Sequence, residues 1–264
     1  DETSLDDDSV PWNMRYCYLV DGWQNWNKNS EYPTYFMNDC DKVNAIPAFQ
    51  YYVLKGMNGG SEEDFYKKTK NSRIMEEYFN NFKLFMQKVK EFKKPVVVMI
   101  EADGFAYLQK GCNSDTNAYS AIKDSGLPEL SSLPNTTAGW GLAFLKIRES
   151  VGATNAILGM HVSGWAGNND VIYGSINADI QTEVDKVYNF LNPLGLGSNI
   201  TSKTYDFLVG DPLDRDADYY RVTQNLDRWL EPSDNAPINS KSFNRYAEWL
   251  RLWNLKSGKR WILW

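Results

Sequence analysis

The sequence predicts an α/β fold, a TIM-like (β/α) barrel that is distorted or incomplete, with long aromatic loops at the C-terminal ends of its strands. Three observations carry that expectation. Short apolar runs rich in β-branched residues, Val96–Ile100 above all, have the composition of strands buried on both faces. Stretches with apolar residues at i, i+3 and i+4 alternate with these runs, and such alternation gives a parallel sheet with right-handed connections. A length of 264 residues suits one large α/β domain better than two small ones.

Met14–Val20 reads as the first strand, closed by Asp21-Gly22. The next twenty residues hold Trp23, Trp26, Tyr32, Tyr35 and Phe36 among several Asn, and read as a long aromatic loop without helical period. Residues 44–54 form the second strand. Ser61-Glu-Glu-Asp64 resembles a capping box, and Met75, Tyr78, Phe79, Phe82, Phe85, Met86 and Val89 keep the stripe of a helix lying on a core. Val96–Ile100 follows, then a short helix expected within 114–126 and a longer one over Thr137–Val151.

Residues 155–162 make the fourth strand, and Ile176, Ile180, Val184, Val187 and Leu191 mark the next helix. The fifth strand is 205–209. A helix is expected in 217–230, with Val222, Leu226 and Trp229 in phase. The last helix carries Phe243, Tyr246, Ala247, Leu250 and Trp253 and stops at Gly258. Residues 260–264 begin a sixth strand. A closed barrel needs about eight such units. Trp264 ends inside a predicted strand, so a C-terminal portion is expected to be missing. Residues 1–10 read as an acidic disordered segment and 11–264 as a single barrel domain.

A net charge of -6 and a pI near 5.0 argue against a nucleic-acid partner, because phosphate binding needs a basic face. No apolar run approaches the roughly 20 residues of a spanning helix, so no membrane partner is expected. The acidic start, the sequons at Asn135 and Asn199 and the three cysteines lean towards a secreted protein, and a monomer is expected. Cys17, Cys40 and Cys112 lack a metal-ligand spacing and are compatible with one disulfide and one free thiol.

In barrels, chemistry gathers at the carboxyl ends of the strands. Those exits carry Asp21, Glu101, Asp103, His161, Asp211, Asp214, Arg215, Asp216 and Asp218. Around them lie Trp23, Trp26, Tyr51, Tyr52, Phe105, Tyr107, Trp165, Tyr219, Tyr220 and Trp264. Carboxylates edged with flat rings suit a sugar polymer: pyranose C–H faces lie against Trp and Tyr. Glycosidic cleavage needs one protonated and one ionised carboxyl group. One histidine is too few for His-rich zinc sites, and no Gly-x-Ser-x-Gly elbow, Gly-x-Gly-x-x-Gly or Walker loop is present. No metal or cofactor is therefore expected. Asp214-Arg-Asp216 does match the short Asp-x-Asp pattern of metal-dependent glycosyltransferases.

Two segments carry a family resemblance. Glu101-Ala-Asp103-Gly-Phe-Ala-Tyr-Leu resembles the Glu-Pro-Asp-Ser-Leu-Ala-Asn-Leu segment of family 6 cellulases, and Met160-His161-Val-Ser-Gly-Trp165 is similar to their strand ending in Gly-His-x-Gly-Trp. The resemblance implies a distorted barrel, inverting hydrolysis and Asp103 as general acid. It covers about a quarter of the chain. Ala102 stands where the family has proline, and Asp214-Arg-Asp216 lies on a late strand where the family's Asp-Arg-Asp is early.

The expectation is an endo-acting hydrolase of cellulose or a related β-glucan. Asp103 is its acid, Glu101 hydrogen-bonds and tunes that acid, and Asp211, Asp214 or Asp216 supplies the second carboxylate. Asp21, Trp23, Trp26, Tyr51, Tyr52, Phe105, Tyr107, His161, Trp165, Arg215, Tyr219 and Trp264 are the candidate sugar contacts. For His161 a buried hydrogen-bonding role stands beside the sugar contact. The alternatives are a non-catalytic carbohydrate-binding protein on the same scaffold and a metal-dependent glycosyltransferase.

Overall fold

A computed structural model describes residues 12–175, 177–197, 204–212, 217–225 and 242–263. Its strands are β1 (Met14–Val20), β2 (Ile46–Tyr52), β3 (Val96–Ile100), β4 (Ala156–His161), β5 (Phe207–Gly210) and β6 (Trp261–Leu263). They form one sheet in the order β1-β2-β3-β4-β5-β6, every neighbouring pair parallel. Sequential order with right-handed crossovers sends every connecting helix to the same face.

The opposite face is nonetheless dry. Ala48, Val97, Met99, Phe207 and Val209 are buried there, with Met14 and Ile262 packed against them. A flat sheet would leave such side chains open to water, so the sheet curls over its own inner face. Gly159 permits the curl at its centre: a Cβ there would stand 2.3 Å from the Phe207 ring. Among the described residues β1 and β6 do not pair with each other. The result is an open half-barrel and not a closed TIM barrel.

The helix side is thick and aromatic. Helix α1 is Tyr32–Lys42, α2 is Phe65–Thr69, and α3 is Ser72–Phe92. Helix α4 is Gly104–Gly111, α5 is Thr137–Val151, α6 is Ile180–Leu191, α7 is Ala217–Gln224, and α8 is Ser242–Ser257. The expected stripe of α3 is buried from Ile74 to Val89, and its rings interlock with neighbours, Phe82 lying 5.0 Å from Phe144 of α5.

Four local expectations need correction. The capping box at Ser61 and Asp64 is formed, but it opens a 3-10 turn leading into α2. The long helix restarts at Asn71, whose side chain accepts the amides of Arg73 and Ile74. The aromatic loop after β1 contains α1, in which Pro33, Met37 and Cys40 are buried at a helical spacing, while exposed Tyr35 obscured that period. Residues 114–126 hold turns and a 3-10 turn at Lys123–Ser125, whereas α4, just upstream, was not anticipated. All three cysteines are free thiols, so the one disulfide with which the sequence is compatible is not formed. The expected disordered segment, Asn199, Ile176, Leu226 and Trp229 lie outside the described residues.

Candidate active site

The β3 exit carries two unusual backbone conformations. Glu101 (φ 45°) and Asp103 (φ 56°) both adopt the left-handed conformation that side chains rarely take. Strand alternation would place Glu101 on the concave face beside Val97 and Met99. The positive φ instead directs it under the helices. There Glu101 Oε1 accepts hydrogen bonds from the Val53 amide (3.1 Å), the Leu54 amide (3.0 Å) and the Tyr78 hydroxyl (2.6 Å).

Glu101 is 0% exposed. Burial pushes its carboxyl up to about 7, against the hydrogen bonds from Tyr78, Leu54 and Val53, which act to lower it. This corrects two expectations. Glu101 is sealed from any polymer, and its side-chain bonds go to the β2 exit and α3, not to Asp103.

Asp103 turns the other way. Its backbone N–H donates to Nδ1 of His161 at 3.1 Å, and its Oδ1 accepts a hydrogen bond from the Ser163 hydroxyl. The Ser163 oxygen also lies 3.3 Å from His161 Nδ1. An Nδ1 that accepts an amide proton carries no proton of its own, so the neutral ring is protonated at Nε2. Burial pushes the imidazole pKa below its ordinary value, although the Asp103 and Asp211 carboxylates act to raise it. Asp103 keeps 25% of its side chain exposed while its neighbour His161 keeps 1%. The site therefore presents one carboxyl to solvent on a buried polar base.

Asp211 follows β5 and is half-buried. Its charge acts on His161 and on Tyr246 of α8, and so does that of Asp103. The exits of β3, β4 and β5 thus bring two carboxylates within electrostatic reach of one imidazole.

An aromatic flank adjoins Asp103, whose charge acts on both Tyr52 and Tyr107. Glu62 accepts from the Tyr52 hydroxyl (2.7 Å), the Lys55 ammonium (2.6 Å) and the Tyr107 hydroxyl (2.6 Å). Burial would raise the Glu62 carboxyl, but the bonds from Lys55, Tyr107 and Tyr52 prevail and hold it below its ordinary value. The Tyr107 ring meets Trp165 edge to face at 4.9 Å. Glu183 of α6 anchors the loop after Trp165, accepting the amides of Asn168 (2.7 Å) and Asn169 (3.2 Å).

Of the residues expected at the site, Asp103, His161, Asp211, Tyr52, Tyr107 and Trp165 are brought together. Trp23, Tyr51 and Phe105 are not: all three are buried in the helix-side core, Trp23 against Phe85, Tyr51 against Phe82 and Phe105 against Trp140. A fully covered ring cannot offer a face to a sugar. Trp26 is exposed beside Tyr32, and Tyr219 is exposed on α7 beside Tyr220. Asp21 is half-buried at the β1 exit, against Gly56 of the β2 exit loop. Asp214, Arg215, Asp216 and Trp264 lie outside the described residues.

Ser163 and Glu62 were missed. Ser163 lay in view inside the His161-to-Trp165 segment, and its signal was proximity to His161 in sequence. Glu62 carried no signal beyond its place in the capping box. Among the described residues no group of His, Cys, Asp and Glu could hold a metal ion, and no helix is long and apolar enough to cross a membrane.

No known protein family and no curated protein matches the chain. A solved structure, a GH6 enzyme from Orpinomyces sp. Y102, is similar at a TM-score of 0.47 and 12% identity, over 95% of this chain and 60% of that one. The chain thus spans about three fifths of the length of that enzyme.

Proposed function

We propose that the protein is a glycoside hydrolase that cleaves β-linked polysaccharide, cellulose or a related β-glucan, from within the chain. The observation that carries this reading is Asp103: a carboxyl left partly open on a buried Ser163–His161 base, beside the Tyr107–Trp165 rings. A general acid must reach the glycosidic oxygen while its own position is fixed, and the bond that the Asp103 amide donates to His161 and the bond that its carboxylate accepts from Ser163 serve that need. Tyr107 and Trp165 offer apolar edges and faces for pyranose rings. The resemblance of the β3 and β4 exits to family 6 cellulases adds the same role for Asp103.

The second carboxylate in this reading is Asp211, with Asp214 and Asp216, a few residues on in sequence, as the reserve. It acts as base on water if the two carboxyl groups stand roughly 6.5–9.5 Å apart, or as nucleophile at roughly 5 Å. No metal or cofactor takes part. The enzyme works as a secreted monomer.

The test is reducing-sugar release from β-glucans, xylan and mannan by wild type and Asp103→Asn. Release from one polymer, reduced about a thousandfold or more in the variant with its melting temperature unchanged, supports the assignment. Release that survives the substitution removes Asp103 from the chemistry. Binding without release from any polymer favours a non-catalytic carbohydrate-binding protein.

A further inference from the structure

Tyr246 of α8 holds a polar atom that folding does not use. The residue is buried, and among the described residues its hydroxyl has no hydrogen-bond partner. A buried, unpaired hydroxyl costs stability, and phenylalanine in the same place would be free of that cost. The hydroxyl is also placed closely: a Cβ on Gly210, the residue before Asp211, would stand 2.5 Å from it. Glycine at the end of β5 is what lets the phenol approach the backbone that carries Asp211.

Resting on the hydrolase reading above, we infer that Tyr246 is a positioning residue: in the substrate complex its hydroxyl donates a hydrogen bond to the Asp211 carboxylate and fixes the second catalytic carboxyl group. Three observations support it. The donor is present and, among the described residues, unspent. It sits against the strand end that delivers Asp211. Asp211 and Asp103 act on it electrostatically, in that order after burial, and raise the phenol pKa, so the hydroxyl keeps its proton and remains a donor. Among the described residues, the groups that share this field are Asp103 from the β3 exit and His161 from β4.

The experiment is Tyr246→Phe, assayed beside wild type on the polymer that wild type cleaves. The variant is expected to lose kcat by about tenfold or more, with KM within about twofold, because a donor to a charged group is lost while the sugar contacts remain. The acidic limb of its kcat profile is expected to move to higher pH, since a carboxylate deprived of a donor takes up a proton more readily. Its melting temperature is expected to stay or rise.

Unchanged kcat and an unchanged acidic limb, with active wild type, overturn this inference alone. A lower kcat with a lowered melting temperature and an unmoved limb overturns it too, because that marks a packing role. Wild type that releases sugar from no polymer overturns the hydrolase reading and this inference with it.

Discussion

The two faces of the sheet are built from different side chains. On the helix side, Tyr51, Tyr78, Phe82, Phe85, Trp140 and Phe144 interlock, with Tyr51 and Phe85 stacked at 6.2 Å. On the concave side the core is Ala48, Val97, Met99 and Val209, with a single large ring, Phe207, lying over Gly159. Helices packed over a sheet leave gaps between their axes and the strands that large rings fill. A sheet curling on itself leaves little room, so small and aliphatic residues line it. The acids at the β3 exit divide between these regions. Glu101 is an internal acceptor that ties β2, β3 and α3 together, and Asp103 stands at the mouth of the concave face. Aromatic content alone was therefore a poor guide to a sugar site here, since much of it serves the helix-side core.

If that division holds, stability and activity respond separately. Glu101→Ala should be the most damaging change to folding. It leaves the Val53 and Leu54 amides and the Tyr78 hydroxyl without their acceptor, at a cost of about 3 kcal/mol or more, measured as a drop in the urea midpoint. A Glu101→Ala protein with wild-type stability and no activity would move Glu101 back into the chemistry and erase the contrast.

The pH dependence of the two regions should have opposite signs. Glu101 in the folded protein titrates near 7, above its ordinary 4.5. Its contribution is fully present below pH 4.5 and is lost as pH rises through 7, on the order of 3 kcal/mol in all. Wild type should accordingly lose stability relative to Glu101→Gln across that window. His161 titrates below its ordinary value, so its contribution is present above pH 6.5 and is lost as pH falls. Wild type should therefore lose stability relative to His161→Gln on acidification. Parallel slopes for the two variants would show that burial does not govern both groups.

The flank should yield the smallest effects, confined to binding. Trp165→Ala is expected to raise KM about tenfold with kcat near wild type, and Tyr107→Phe, which removes only the bond to Glu62, by about twofold. A kcat loss in Trp165→Ala as large as that of Asp103→Asn would sharpen the picture differently, by making the ring part of the acid's own support.

The strands were readable because their signal is local. Val96–Ile100 has no polar position to lose, and its bounds and those of Met14–Val20 and Thr137–Val151 follow from composition and period alone. Parallel order followed from strand–helix alternation, and Asp103, His161 and Trp165 followed from their places at strand exits. Tertiary structure decided what depends on direction and neighbours. Nothing in Glu101-Ala-Asp103 tells which acid faces inward: that rests on two positive φ angles and on donors from Val53, Leu54, Tyr78, His161 and Ser163. Trp23, Tyr51 and Phe105 resemble exposed rings in sequence and became core only when α3 and α5 closed over them. Sequence determined the strands, most of the helices and their order, because propensity and period act over a few residues. Only the tertiary structure, the curl of the sheet and the helices closed over it, decided which side chains meet, because burial and hydrogen bonding join residues far apart in the chain.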